Sequence, residues 1–291
     1  MYVIAGVSGN TGSIVANALL DQGKKVRVIV RDAKKGEPWK ARGAEVAIAT
    51  VDDEPALTKA LEGATAAYLL SPPDLAATDF IAQRRASVET IARAVEKSKV
   101  PHVVFLSSVG AQHDAGTGPI RTLHFAEQRL AKTPAKTTFI RAASFFENWA
   151  AVLGAAAQGH LPTFLPADLP VPTVSTKDIG LVAAKAILEP PSGKSEVIEL
   201  AGPREYSARD IAAALTKILG KPVEVAVAPL EAVVPTYTSF GISANIAGLF
   251  QEMYAGTTNG TVAFEGKGTR LVRGNVDAET ALRGLGAGAS A

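Results

Sequence analysis

Three glycines, Gly6, Gly9 and Gly12, recur at intervals of three in "YVIAGVSGNTGSIVANALL", between a short apolar run and a stretch with helical spacing. In that position each glycine has its own use. Gly6 ends the strand and lets the chain turn tightly, Gly9 removes a side chain where a pyrophosphate approaches backbone N–H groups, and Gly12 lets the following helix pack closely on a sheet. Ser8, Asn10 and Thr11 fill the same loop. A helix beginning near Thr11 or Gly12 points its partial positive charge at the phosphates. A glycine triplet alone is weak evidence, but this one follows a strand, opens a helix and is followed by a second strand at the spacing a dinucleotide requires.

The end of that second strand, "VRVIVRD", is the next position with chemical content. A carboxylate there accepts both ribose hydroxyls of NAD(H), whereas the first residue here is Arg31, with Asp32, Lys34 and Lys35 after it. A guanidinium donates to a 2′-phosphate and accepts nothing, so NADP(H) is preferred, with NAD(H) open through Asp32. Asp52, after the third strand, either takes the adenine amine or caps the helix at Pro55. "LLSPPD" and "FLSSVGA" bring Ser71 and Pro72 to the ribose-diphosphate side, and Leu106, Ser107 and Ser108 to the nicotinamide ribose. For Ser107 the alternative is a hydroxyl that satisfies backbone at the strand end.

These positions need a frame that puts several strand ends on one edge. Tyr2–Ala5, Val26–Val30, Glu45–Ala49, Ala66–Leu70, His102–Leu106 and Thr137–Ile140 read as buried strands, with helices over Ile14–Gln22, Pro55–Leu61 and Thr78–Lys99 between them. Strand and helix in alternation call for an α/β fold, a Rossmann-type doubly wound parallel sheet covered on both faces, with ligands at the carboxyl ends of its strands. Residues 1–160 are assigned to this domain. Residues 161–291 are assigned to a smaller, discontinuous α+β part that carries substrate or acts as a lid, with 178–190 returning to the sheet. Phe145–Gln158 reads as helical, Asp178–Leu188 as a helix capped from "STKD", and "YSARDIAAALTKILG" as a helix capped by Ser207. The Gly/Ala-rich end "GLGAGASA" is expected to be disordered.

Composition narrows the partners. With 47% hydrophobic and 20% charged residues over 291 positions, the chain buries a sizeable core. Its 30 basic against 28 acidic residues give a net charge of +2, which does not suggest a nucleic-acid binder. There is no cysteine, so disulfides and thiolate chemistry are excluded, and the scattered His102, His113 and His160 disfavour a metal site. No apolar run approaches the ~20 residues of a membrane span. With no signal peptide evident, a cytoplasmic location is expected. "GVSGN" lacks the second glycine of a nucleophile elbow, and no "GK[ST]" follows the loop, which argues against a serine hydrolase and an NTPase.

"AGVSGNTGS", "RVIVRD", "VVFLSSVGA", "LHFAEQRL" and "FIRAASFFENW" together resemble the atypical short-chain dehydrogenase/reductases of the NmrA-like group, most closely its NAD(P)H:quinone oxidoreductase type 2 branch. The resemblance is good over about the first 190 residues and loose beyond. It implies hydride transfer from NADPH to a quinone-like or other easily reduced small-molecule acceptor. The same group includes dinucleotide-binding redox sensors that turn nothing over, and that alternative stays open, as does monomer against homodimer. The resemblance aligns His124 and Glu127 with the branch's His and Glu, three residues apart on one helix face. His124 then borders the nicotinamide and steers the acceptor or supplies a proton; otherwise it packs at the domain seam.

Two departures stand out. The family's Pro-Gly after the sixth-strand arginine is Ala142–Ala143, which bears on how Ala143 and Phe145 meet the nicotinamide. The Tyr-x-x-x-Lys relay of ordinary short-chain dehydrogenases is missing: Tyr2, Tyr68, Tyr206, Tyr237 and Tyr254 are followed at that offset by Gly6, Pro72, Asp210, Gly241 and Thr258. Without a relay that lowers a phenol pKa, alcohol dehydrogenation and sugar epimerisation are disfavoured. Phe146, Asn148 and Trp149 are candidates for one wall of an acceptor pocket. Phe164, Tyr237, Phe240 and Phe250 are candidates for the other, with core packing the alternative for each.

Overall fold

A computed structural model of the chain describes residues 1–288. The first half alternates strictly: β1 (Tyr2–Ile4), α1 (Asn10–Asp21), β2 (Val26–Val30), α2 (Glu37–Ala41), β3 (Glu45–Ile48), α3 (Glu54–Leu61), β4 (Ala66–Leu69), α4 (Phe80–Ser98), β5 (His102–Ser108), α5 (Arg121–Leu130) and β6 (Lys136–Ala142). All six predicted strands are present, within two residues at either end. β4 shows why they are strands: its "AAYL" is buried at every residue, as a central parallel strand covered on both faces must be.

The second half is less regular. It runs through β7 (Ser144–Phe145), α6 (Leu153–Ala156), β8 (His160–Thr163), β9 (Val171–Val174), α7 (Thr176–Leu188), β10 (Ser195–Ala201), β11 (Glu205–Tyr206), α8 (Ala208–Leu219), β12 (Glu224–Val227), α9 (Val233–Ser239), α10 (Ala244–Thr258), β13 (Arg270–Arg273) and α11 (Ala278–Gly288). Ser207 caps α8 in a reciprocal box with Asp210, and Ser175 caps α7 by accepting the Asp178 N–H. Three expectations are corrected. Residues 145–158 do not form one helix: Ser144 and Phe145 pair with β9, so the chain leaves β6 extended and then makes tight turns over Phe146–Val152 before the single turn of α6. The end of the chain, expected to be disordered from Gly284, continues α11 as far as Gly288, and the last three residues lie outside the described ones. More of the chain beyond residue 161 also returns to the main sheet than 178–190, because β10 and β13 are strands of it.

That sheet has eight strands in the order β13-β10-β6-β5-β4-β1-β2-β3, every neighbouring pair parallel. The order reverses between β1 and β4, the crevice where doubly wound sheets bind ligands. α1 and α7 cover one face, burying Val15, Leu19, Ile179 and Ile187 with Val28 and Ile140. α3, α4 and α5 cover the other with Leu57, Ile91 and Leu130 over Ile29, Phe105 and Phe139. The second half adds a core in which Phe146, Tyr206, Ile211 and Leu282 meet, and a small cluster of Ala77, Phe80, Ile246 and Leu249 that docks α10 on the first half. Among the described residues no helix is long and apolar enough to cross a membrane.

At the far end of β5, away from the crevice, His102 is 3% exposed with Nε2 against Thr138 Oγ1 at 3.2 Å. Burial pushes its pKa down from 6.5 to about 4. The neutral ring is therefore the folded form while the unfolded chain binds a proton below about 6.5, so stability is full above pH 6.5 and is lost as pH falls toward 4. His102→Gln is expected to flatten that part of the profile in urea melts taken from pH 7 to 4.

Candidate active site

The glycine loop connects β1 to α1 as the spacing requires. Gly6 takes φ +71°, a conformation L side chains rarely adopt, and its N–H-accepting carbonyl closes the turn with Gly9 N at 2.9 Å. A side-chain carbon on Gly12 would overlap the carbonyl oxygens of Ala5 and Gly6, so α1 reaches the sheet this closely only with glycine there. Gly9 is the N-cap of α1 and no side chain caps the helix, which leaves the first N–H groups, at Asn10, Thr11 and Gly12, without intrahelical partners. Ser8, Gly9 and Asn10 are exposed, whereas Thr11 is buried and its hydroxyl accepts from Tyr68 at 2.9 Å. Thr11 therefore offers its backbone, and burial raises the Tyr68 pKa and keeps that phenol protonated.

At the end of β2 the two candidates divide. Asp32 turns back on the chain, where Oδ1 accepts the Lys34 N–H at 2.7 Å and caps a short turn over Ala33–Gly36. Arg31 is exposed and, among the described residues, has no hydrogen-bond or ion-pair partner. One guanidinium is thus available where a ribose 2′-substituent would lie, and the neighbouring carboxylate is already engaged. Past β3, Asp53 caps α3 by accepting the Ala56 N–H, which removes the capping role considered for Asp52. Asp52 Oδ1 instead accepts the Ser87 hydroxyl. Arg84 lies close by, buried, with Nη1 donating to Pro72 O at 2.5 Å. Burial lowers the Arg84 pKa to about 10 against the opposing Asp52 charge, so the cation persists at neutral pH. Ser71, 6% exposed, keeps a buried hydroxyl with no protein partner. The orphaned hydroxyl, the uncapped helix start and the glycine cradle all fit a bound dinucleotide.

The β5 end departs from expectation. Residues alternate faces along a strand, and Ser107 points to the α5 side, where its hydroxyl donates to Glu127 Oε1 at 2.6 Å. The hydroxyl thus satisfies a carboxylate and not strand-end backbone, while Leu106 and Ser108 occupy the other face, with the Ser108 hydroxyl on Val109 O at 3.0 Å. Glu127 is not paired with His124 either. Its carboxylate receives Arg141 Nε at 3.0 Å and Nη2 at 2.7 Å, a buried bidentate pair with both residues about 5% exposed (Glu127 5%, Arg141 6%). Arg141 Nη1 extends the network to Glu265 at 2.7 Å. His124, half-buried on α5, has Nδ1 3.0 Å from Ala111 O. A carbonyl only accepts, so Nδ1 carries the hydrogen and Nε2 of the neutral ring is the acceptor.

Of the residues beyond β6, Ala143 gives its N–H to Leu200 O at 2.9 Å and is buried. Phe145 packs against the α1/α7 core. Phe146 cannot line a pocket: it is 0% exposed and meets Tyr206 edge-on at 5.0 Å. Trp149 packs on the same core, and Asn148 is exposed. On the opposite side Phe164, Tyr237 and Phe250 do come together, with ring centroids 5.0 to 6.1 Å apart. Phe240 is excluded, 76% exposed at the tip of the α9–α10 hairpin. Tyr254, which no local pattern in the sequence marks, joins them: its ring is 5.4 Å from Phe164 and its hydroxyl pairs with that of Tyr237 at 2.9 Å. Burial first, and then Tyr237, raise its pKa, so it stays a phenol.

Residues 2–277 match the model of the NmrA-like family. The chain belongs to that family. The NAD(P)H azoreductase of Xenophilus azovorans is a similar protein, 26% identical over 260 residues, covering 88% of this chain and 86% of the relative. The NADPH-dependent quinone oxidoreductase of Escherichia coli, solved with NADPH, superposes with a TM-score of 0.82 at 24% identity, covering 98% of this chain and 99% of the other. The triphenylmethane reductase of a Citrobacter species, solved with NADP(H), gives 0.82 at 18% identity over 98% of this chain and all (100%) of the other. The NmrA-like fold thus extends over the second half, where the sequence resemblance was loose.

Proposed function

We propose that this member of the NmrA-like family is an NADPH-dependent reductase that passes hydride to a small, easily reduced acceptor of the quinone type. The observation that carries the reading is the pairing of an uncapped, glycine-cradled helix start with an exposed, unpaired Arg31 one strand away. Backbone N–H groups at Asn10 to Gly12 hold the pyrophosphate, Arg31 holds the 2′-phosphate, and Asp52 and Ser71 border the adenosine half. The bound dinucleotide supplies the hydride. The names of the azoreductase and quinone oxidoreductase relatives support the acceptor class.

The protein's own contribution is position and dryness. No tyrosine precedes a lysine in the relay spacing, and Tyr68 and Tyr254 are held protonated by burial, so neither serves as a low-pKa proton relay. Acceptors that stabilise negative charge after taking hydride suit such a site. The Phe164, Tyr237, Phe250 and Tyr254 rings give a planar acceptor an aromatic wall. His124 Nε2, turned to the free side by the Nδ1 bond to Ala111, holds an acceptor hydroxyl in place.

The test is NADPH oxidation by the purified protein with small quinones and a cationic dye, alongside NADPH and NADH titrations. Saturable turnover supports the reductase; tight NADPH binding without turnover on any acceptor supports the sensor alternative. Arg31→Ala is expected to weaken NADPH binding roughly 10- to 100-fold, the worth of a charged hydrogen bond, and to leave NADH binding unchanged. Equal weakening of both would remove Arg31 from the argument.

A further inference from the structure

α9 and α10 form a hairpin that reaches back to the first half of the chain. Near its tip the Ser243 N–H donates to Leu75 O at 3.3 Å and the Ser243 hydroxyl to Ala77 O at 2.7 Å. Two residues on, Asn245 Oδ1 accepts the Phe80 N–H at 3.0 Å and so caps α4 from outside, beside Asp79, which takes the Ala82 N–H. Ile246 and Leu249 bury against Ala77 and Phe80 beneath these bonds. All three bonds end on residues 75–80, the continuation of Ser71 and Pro72.

Farther along, α10 packs on the turn Gly118–Ile120 after β5, and Gln112 Nε2 donates to Ala263 O at 2.8 Å. One helix therefore ties the β4–α4 loop to the β5–α5 loop, both at the carboxyl edge of the sheet. The same hairpin carries Tyr237, Phe250 and Tyr254. A loop ordered before its ligand arrives spares the ligand the cost of ordering it.

We propose that Ser243 and Asn245 are positioning residues for the dinucleotide, and that through them an acceptor held against α9–α10 tightens dinucleotide binding. This rests on the reading above that the dinucleotide runs along Ser71 and Pro72. Linkage requires the converse too: dinucleotide tightens acceptor binding by the same factor.

The experiment measures the NADPH dissociation constant by fluorescence, with and without 1,4-dimethoxynaphthalene as a redox-inert acceptor mimic. In the unaltered protein the mimic is expected to lower the constant about fivefold, the low end of site-to-site couplings. Asn245→Ala, which removes a helix cap, is expected to raise the constant about fivefold and abolish the effect of the mimic. Asn245→Asp keeps an oxygen for the Phe80 N–H and is expected to restore both, which a merely structural role in the hairpin does not predict. Thermal melts confirm that each variant is folded, and Ser243→Ala provides a second, independent break. NADPH binding and a mimic effect that are unchanged in Asn245→Ala overturn this inference alone. Failure of the unaltered protein to bind NADPH overturns it together with the functional reading.

Discussion

Gly12→Val is expected to abolish NADPH binding and to lower the thermal midpoint by on the order of 10 °C, the consequence of about 3 kcal/mol or more of overpacking against backbone. The added side chain would overlap the carbonyl oxygens of Ala5 and Gly6. Neither oxygen can yield cheaply, because the Ala5 N–H is bonded to Tyr68 O at 3.0 Å and Gly6 O accepts from Gly9. α1 must then lift from the sheet, taking the N–H groups at its start out of position. Gly9→Ala separates the two effects: its nearest neighbour would be Gly6 O at 3.4 Å, so the fold is retained while the methyl occupies the phosphate approach. A Gly12→Val protein that melts and binds NADPH like its parent would refute the close helix–sheet contact as the reason for that glycine.

Arg141→Leu carries the other large effect. It strips Glu127 of its guanidinium bonds inside a site where the residue is 5% exposed, leaving, among the described residues, the Ser107 hydroxyl as its donor. A buried pair broken on one side costs about 3–5 kcal/mol, so urea denaturation should shift by that amount. Combining it with Glu127→Leu should recover much of the loss, since an apolar pair leaves no charge stranded. Glu265→Gln should cost much less, because the Glu265 side chain is 42% exposed and screened. A single mutant no worse than the double would mean that the carboxylate is not stranded.

The contrast between these sites shows how much was legible beforehand. The glycine turn could be read because its constraints are local: Gly6 answers to a tight turn and Gly12 to the backbone of the strand just before it. The six strands of the first half could be read because central parallel strands are buried on both faces and leave apolar runs such as "AAYL". Arg141 entered only as the arginine of the sixth strand, in "TTFIRAA", with no sign of which partner it meets. Glu127 was noticed, but helical spacing suggested His124 beside it, and the stronger donor came from β6.

By itself, then, the sequence determined the doubly wound sheet and the glycine turn from β1 into α1, because periodicity and turn residues are properties of short segments. Tertiary structure decided which aromatic rings gather beside α9 and α10 and which are sealed in the core. Phe146 and Phe250 look alike in sequence, yet one is sealed against Tyr206 and the other stacks beside Tyr237. It also decided the strap from α10 to the β4–α4 loop, whose bonds join residues more than 160 apart. Contacts of that range depend on how the second half lies on the first, and no spacing along the chain encodes it.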